Sequence, residues 1–286
     1  IRHLFIFLIF FISSIYFLKI LKNRFDNNSV IFLGLSFYIF SPRIFGDSFY
    51  NNKDILFLSI LTISVSYLFE LFEKRNNKNL ILFCFFAALA TSTRIMGVFL
   101  PLMLFVFYFL EYLINKFSTR IFLLQSFKLF LLYIFFLYLH FPYIWELKIF
   151  NISGWFQNFF FWMDIKVLFN GDYYSIKYLP RSYLPLWIFI STPIIIVILF
   201  LIGSFNSLKQ IFVRILSISE TKINKKGDLW ASLNEKKDLF ISVSFFSFIF
   251  YAIFLNVPML SGWRHFYFLH FFIIYLSSIG INFTFN

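Results

Sequence analysis

A single cysteine, Cys84, excludes an internal disulfide and a cysteine-built metal site. It stands in an apolar run and reads as inert packing. No HExxH pair is present, and His3 and His140 are isolated, so no metal or other cofactor is indicated. There is no glycine-rich phosphate loop, and nothing in the basic segment 205–237 suggests a nucleotide site. Charge is scarce: 13% of residues are charged against 60% hydrophobic, and acidic residues number 13 against 25 basic ones. A soluble domain cannot hide that much apolar surface, so the chain reads as an all-α polytopic membrane protein. No fixed-period repeat is visible. Residues 1–20 lack the basic leader and small-residue cleavage site of a signal peptide.

What remains is largely Phe, Leu and Ile. The 50 Phe are accompanied by much Ile, Lys and Asn, all with A/T-only codons, so part of the bias reflects base composition. The net charge of +12 does not point to nucleic acid. Lys and Arg gather on the cytoplasmic loops of membrane proteins, and that explanation comes first. A spanning helix needs about 20 mostly apolar residues. The segments that qualify are Arg2–Leu21, Ser29–Ser41, Asp54–Phe72, Asn79–Thr93, Ile95–Ile114, Phe127–Trp145, Leu184–Ser204, Asp238–Asn256 and Phe266–Ile281. The second and fourth are short and call for tilt or flanking polar residues. With the N-terminus outside, the clusters around Lys19–Arg24, Lys74–Lys78, Lys116–Lys128 and Lys209–Lys237 all fall inside. Residues 205–237 read as a solvated basic loop with a lipid-surface contact.

The outer set then holds Asp47, Asp54, Arg94, the loop from Glu146 to Arg181, and Ser261–His265. Residues 41–54, SPRIFGDSFYNNKD, form a polar island between two hydrophobic runs. Its Gly, Asn, Asp and Pro suit any connection. Acidic groups at a span edge nevertheless need a cavity or partner, and Asp54 at the mouth of a helix is a candidate for a polar site at the membrane surface. Arg94, in ATSTRIMG, is either a turn residue reaching solvent or an anion site, since its guanidinium fork suits phosphate.

The stretch from His140 to Leu184 is long and aromatic, with HFPYIWE, FNGDYY and LPRSYLPLW. It reads as an interfacial region, with a helix over Trp155–Leu168 and an Asn170-Gly171 turn. Lys177 and Arg181 add positive charge beside an anionic headgroup. SGWRHFYF opens the last span and places Arg264 beside His265 at the outer boundary, a pair suited either to interface anchoring or to phosphate recognition.

In order and in placement on one membrane face, these motifs resemble the polytopic glycosyltransferases of the GT-C superfamily. The protein O-mannosyltransferase-like group (glycosyltransferase family 39), which includes the lipid A aminoarabinose transferases, is the most similar. The resemblance runs from His3 to about His270. It implies one transmembrane domain over residues 1–286, carrying inverting transfer of a sugar from a polyprenyl-phosphate donor to a protein, lipid or glycan acceptor. The setting implied is the outer face of a bacterial inner membrane, with no nucleic-acid partner. Asp54 matches the family's second external acidic position, with Asp47 beside it as a second catalytic candidate. Arg94 sits where relatives place a basic residue between paired spans, and Arg264, His265 and Arg181 complete the expected phosphate-binding set. The family's first acidic loop would precede Ile1, so we expect a fragment lacking an N-terminal span and that loop, and with it the catalytic base. A secondary transporter or flippase, which would carry mid-span charges in repeated halves, and a non-catalytic membrane assembly protein are the alternatives.

Overall fold

The computed structural model describes residues 2–114, 116–142, 145, 165–220 and 229–285. The order is α1 (Arg2–Lys22), α2 (Asn28–Phe40), the short α3 (Pro42–Asp47), α4 (Asp54–Glu73), α5 (Asn77–Thr93), a 3-10 turn (Ile95–Val98) running into α6 (Phe99–Leu113), and α7 (Thr119–His140). A small hairpin follows, β1 (Lys166–Phe169) with β2 (Asp172–Ser175), then α8 (Tyr183–Ser191), α9 (Ile194–Glu220), α10 (Leu233–Phe254) and α11 (Leu269–Phe285).

Among the described residues, six helical segments are long and apolar enough to cross a membrane: α1, α4, Ile95–Leu113, α7, Ile194–Leu216 of α9, and α10. Helices α2 and α11 are shorter and apolar. Helix α5 covers the expected segment Asn79–Thr93, and the protein is an all-α polytopic bundle.

Polar side chains start the helices where the sequence offers them. Asn27 accepts from the Ser29 amide at α2, Ser118 from Ile121 at α7, and Ser232 from Glu235 at α10. Each satisfies an amide that the first turn leaves without an intrahelical partner.

Helix α4 is the axis of the bundle. It is buried almost all round, between α1, α5 and α11, as expected of a helix apolar on every face. Its Thr62 meets the buried hydroxyl of Tyr38, which also meets Ser13, while His270 bonds the Tyr38 carbonyl at 3.1 Å. Such hydrogen bonds tie helices together where hydrophobic burial gives no preference between protein and lipid. Helices α9 and α11 touch backbone to backbone. A Cβ on Gly203 would collide with the Leu276 carbonyl, and one on Gly280 with that of Leu199. Helix α7, by contrast, presents Phe127, Phe130, Leu131 and Phe135 outward, as a lipid-facing helix does.

Several expectations need correction. The span expected over Leu184–Ser204 is two helices, because Pro193 lacks an amide donor and holds Thr192 extended. The second of them runs on to Glu220, and α10 begins at Leu233, so residues 205–220 and 233–237 of the expected solvated loop are helical. Ser232 caps α10 early, which makes Lys236, Lys237 and Asp238 helical and buried. Residues 165–168 are not helical; Lys166–Phe169 pairs with Asp172–Ser175 around the expected Asn170-Gly171 turn, both turn residues having positive φ. Residues 155–164 of the expected interfacial helix, Glu146, and the lysines at 222, 225 and 226 lie outside the described residues.

The two ends of the bundle differ in charge. Twenty residues of α4 span about 30 Å, with Asp54 at one end and Glu70 and Glu73 at the other. The Glu73 end gathers the ion pairs Lys19–Glu70, Arg24–Asp238, Arg75–Glu111, Lys236–Glu111, Lys237–Glu73 and Arg214–Glu235.

Candidate functional site

At the opposite end, the polar island folds into a tight structure. Pro42 starts α3, as proline at a first helical position does. After α3 the chain turns through Asn51, whose side-chain oxygen accepts the Asp54 amide at 3.0 Å and whose side-chain nitrogen donates to the Asp54 carboxylate at 2.9 Å. Asp54 is thereby fixed as the first residue of α4, where the helix dipole also favours an anion.

Asp54 is fully buried, and both of its oxygens are engaged. Oδ1 accepts from Arg94, and Oδ2 accepts from Arg264 Nε at 2.8 Å as well as from Asn51. Arg94 follows the last residue of α5, and the 3-10 turn folds directly back on that helix end. Gly97 makes the approach possible, since a Cβ there would run into the Ala90 and Thr91 backbone. Arg264 opens the 3-10 turn before α11. Its side chain is 46% exposed against 20% for Arg94, so Arg264 is the arm that reaches the mouth. Arg94 Nε is buried and has no acceptor among the described residues, although buried donors normally find one.

His265 lies between these charges. Burial, together with the positive fields of Arg94 and Arg264, pushes its pKa down to about 4, although Asp54 opposes the shift. The imidazole is neutral at physiological pH.

The second carboxylate, Asp47, is also buried. It is hydrogen-bonded by the hydroxyls of Tyr50 and Tyr267. Burial and then the Asp47 carboxylate raise the Tyr267 pKa; for exposed Tyr50 the hydrogen bond to Asp47 is the main cause of the rise. Arg43 donates to the Tyr267 hydroxyl at 2.6 Å and to the Ser261 carbonyl at 3.0 Å, and lies 5.8 Å from the Trp187 ring. The Ser261-Gly262 turn, with both residues at positive φ, receives this contact. It is pinned to α8 by Gly262 N–H donating to the Tyr183 hydroxyl and by Trp263 donating to Ser191 Oγ at 2.6 Å.

Of the expected site residues, Asp54, Arg94, Arg264 and His265 therefore meet in one cluster, with Asp47 in the adjoining one. Arg181 does not join them among the described contacts. It is exposed and lies over Phe254 at the end of α10, 5.9 Å from the ring. Arg43, Asn51 and Tyr267 are site members that the sequence did not single out. Arg43 and Tyr267 are 224 positions apart, and no local signal links them.

Chemically, the cluster concentrates positive charge around one buried carboxylate. Two guanidinium groups from different elements are locked by one carboxylate, and one of them faces solvent. Arginine's planar donor fork suits phosphate oxygens. Among the described residues no group of three His, Cys, Asp or Glu side chains is placed to hold a metal ion.

A family model described as dolichyl-phosphate-mannose-protein mannosyltransferase matches residues 3–145, half of the chain. Comparison with curated proteins and with solved structures gives no match. The matched half ends before Arg264, so the family match covers Asp47, Asp54 and Arg94 but not the arginine that completes the cluster.

Proposed function

We propose, from the premise that this chain belongs to the dolichyl-phosphate-mannose-protein mannosyltransferase family, that its Asp54–Arg94–Arg264 cluster holds the phosphate of a polyprenyl-phosphate sugar during transfer to an acceptor. Glycosyltransferase activity with such a donor is the family's character. The observation that carries the assignment is the single buried carboxylate joined to two arginines from separate elements.

In this reading an acceptor hydroxyl attacks the anomeric carbon from the face opposite the phosphate, which inverts the configuration. The bond from that carbon to the phosphate oxygen breaks, and the electron pair leaves on the polyprenyl phosphate. Arg264 and Arg94 stabilise the charge that grows there. Asp54 is a positioning residue, since its oxygens are already occupied by Arg94, Arg264 and Asn51. Asp47 orients or takes the acceptor proton, acting through the exposed Tyr50 that donates to it. Neutral His265 adds no charge to compete for the phosphate.

The concentration of Lys and Arg at the far end of the bundle supports an outward-facing site, by the positive-inside rule. A bacterial inner membrane is the setting we assign. A site at the bundle mouth lets the isoprenoid stay in lipid while the sugar meets an acceptor in water.

The test is transfer from a radiolabelled polyprenyl-phosphate sugar by membranes carrying the chain, with Arg264→Ala as the comparison. Removing one preorganised donor to a developing anion typically costs about 10²–10³ in rate. Undiminished transfer by R264A would return the chain to the non-catalytic assembly role.

A further inference from the structure

A second polar feature lies at the opposite end of the bundle, on the inner half of α9. A cavity of about 530 Å³ opens there, bounded by Arg24, Asn206, Lys209, Gln210, Arg214 and Glu235, with Ile279 and Phe283 of α11 as its apolar wall. Asn206, Lys209 and Gln210 stand at i, i+3 and i+4, so they share one face of the helix. At 27 residues α9 is about 40 Å long, beyond the roughly 30 Å hydrocarbon core, and this face lies where the helix passes out of hydrocarbon.

Two of the cations are held in place. Arg24 makes a two-point contact with Asp238, at 3.0 and 2.7 Å, and Arg214 does the same with Glu235, at 3.0 and 2.8 Å. Lys209 is exposed and has no carboxylate within ion-pair distance among the described residues. The side-chain nitrogen of Asn206 is buried and has no hydrogen-bond partner among them. A donor and a cation both without partners among the described residues, in a cavity next to hydrocarbon, call for an anionic oxygen ligand. An apolar stripe also leads away from the lysine. Leu201 and Phe205 lie at successive i+4 steps before Lys209 and are 52% and 69% exposed, so they continue its face into the membrane.

We propose that this cavity binds the phosphate headgroup of an anionic phospholipid from the leaflet at the basic end, with the acyl chains running along the Leu201–Phe205 stripe. Lys209 and Asn206 contact the phosphate, and Arg24 and Arg214 supply the fixed positive field around it. The apolar stripe distinguishes a lipid from a free anion, which would have no use for it. The site is independent of the transfer chemistry at Asp54.

The test uses the full chain purified in a neutral detergent. It is titrated with phosphatidylglycerol, phosphatidylcholine or inorganic phosphate, with binding read by native mass spectrometry and melting temperature. Phosphatidylglycerol should bind and raise the melting temperature, and the other two should not. Lys209→Gln, at an exposed side chain, should leave the lipid-free melting temperature unchanged and weaken phosphatidylglycerol about fivefold, the share of one basic residue near a lipid surface. Asn206→Leu should weaken it by a second route. Equal binding of the two lipids, or wild-type binding by both variants, overturns the proposal. An equal response to inorganic phosphate overturns it too, because the cavity would then be a free-anion site.

Discussion

The carboxylate of Asp54 accepts a 2.8 Å hydrogen bond from Arg264, 210 positions further along the chain. This contact closes the Asp54 end of the bundle, joining the start of α4 to the turn that precedes α11. It also makes one buried anion answerable for two cations, which governs how the site should respond to substitution.

Asp54→Asn removes the charge and keeps the shape. Losing one partner of a buried pair costs about 3–5 kcal/mol. The loss here belongs at the lower end of that range, because Arg264 is 46% exposed and can turn to water. Thermal melting should show that loss, and sugar transfer should fall in the same variant by more than its lowered stability explains.

Arg264→Lys tests geometry separately from charge. Lysine is a point charge without the planar fork, and cannot reproduce an Nε contact to Asp54 while offering further donors to phosphate. Transfer should fall nearly as far in R264K as in R264A, with little change in melting temperature in either. Full activity in R264K would show that charge alone suffices.

His265 sets an acid limit. Its folded pKa, about 4, lies below the ordinary histidine value of 6.5. Between those two values the unfolded chain binds the extra proton, so stability falls as pH drops through the window and is unaffected by this group above pH 6.5. The difference in melting temperature between wild type and His265→Gln should therefore change between pH 6.5 and 4 and stay constant from 6.5 to 8.

The Lys236–Glu111 pair is buried on both sides, with side chains 4% and 3% exposed. Glu111→Gln should cost about 3–5 kcal/mol, as it strands the Lys236 ammonium. A paired change, Glu111→Leu with Lys236→Met, should recover most of that loss, because Arg75 is 41% exposed and can reach water. Chemical unfolding of the two variants compares them directly.

Gly203→Ala would push a methyl group into the Leu276 carbonyl, and Gly280→Ala one into that of Leu199. Each should destabilise by about 1–3 kcal/mol through separation of α9 from α11. Substitution of Gly46, which has open space around its Cβ position, should not have this effect.

Much of the fold was legible in order of appearance. Long apolar runs can only be spans, and the split of charge between the two ends follows from which loops carry Lys and Arg. The site was half legible. Asp54 and Arg94 stood out because ionised groups at span edges need a partner, but nothing local said that they were each other's partner. The basic stretch after Ser204 misled for the same reason. Composition reads Lys236 and Lys237 as solvated, while Glu111 and Glu73, more than 120 positions away, take them into the interior.

Hydrophobic patterning is determined by residues within a few positions of one another, so the sequence alone settled the all-α spanning architecture and the segregation of charge, while the break at Pro193, hidden inside one apolar run, emerged only in the structure. Which charges pair depends on how helices pack side by side, and that packing is set by contacts such as Gly203 against the α11 backbone. Only the tertiary structure could bring Arg264 to Asp54 and Arg43 to Tyr267, because electrostatic attraction acts over ångströms in space and leaves no trace in residues separated by 200 positions.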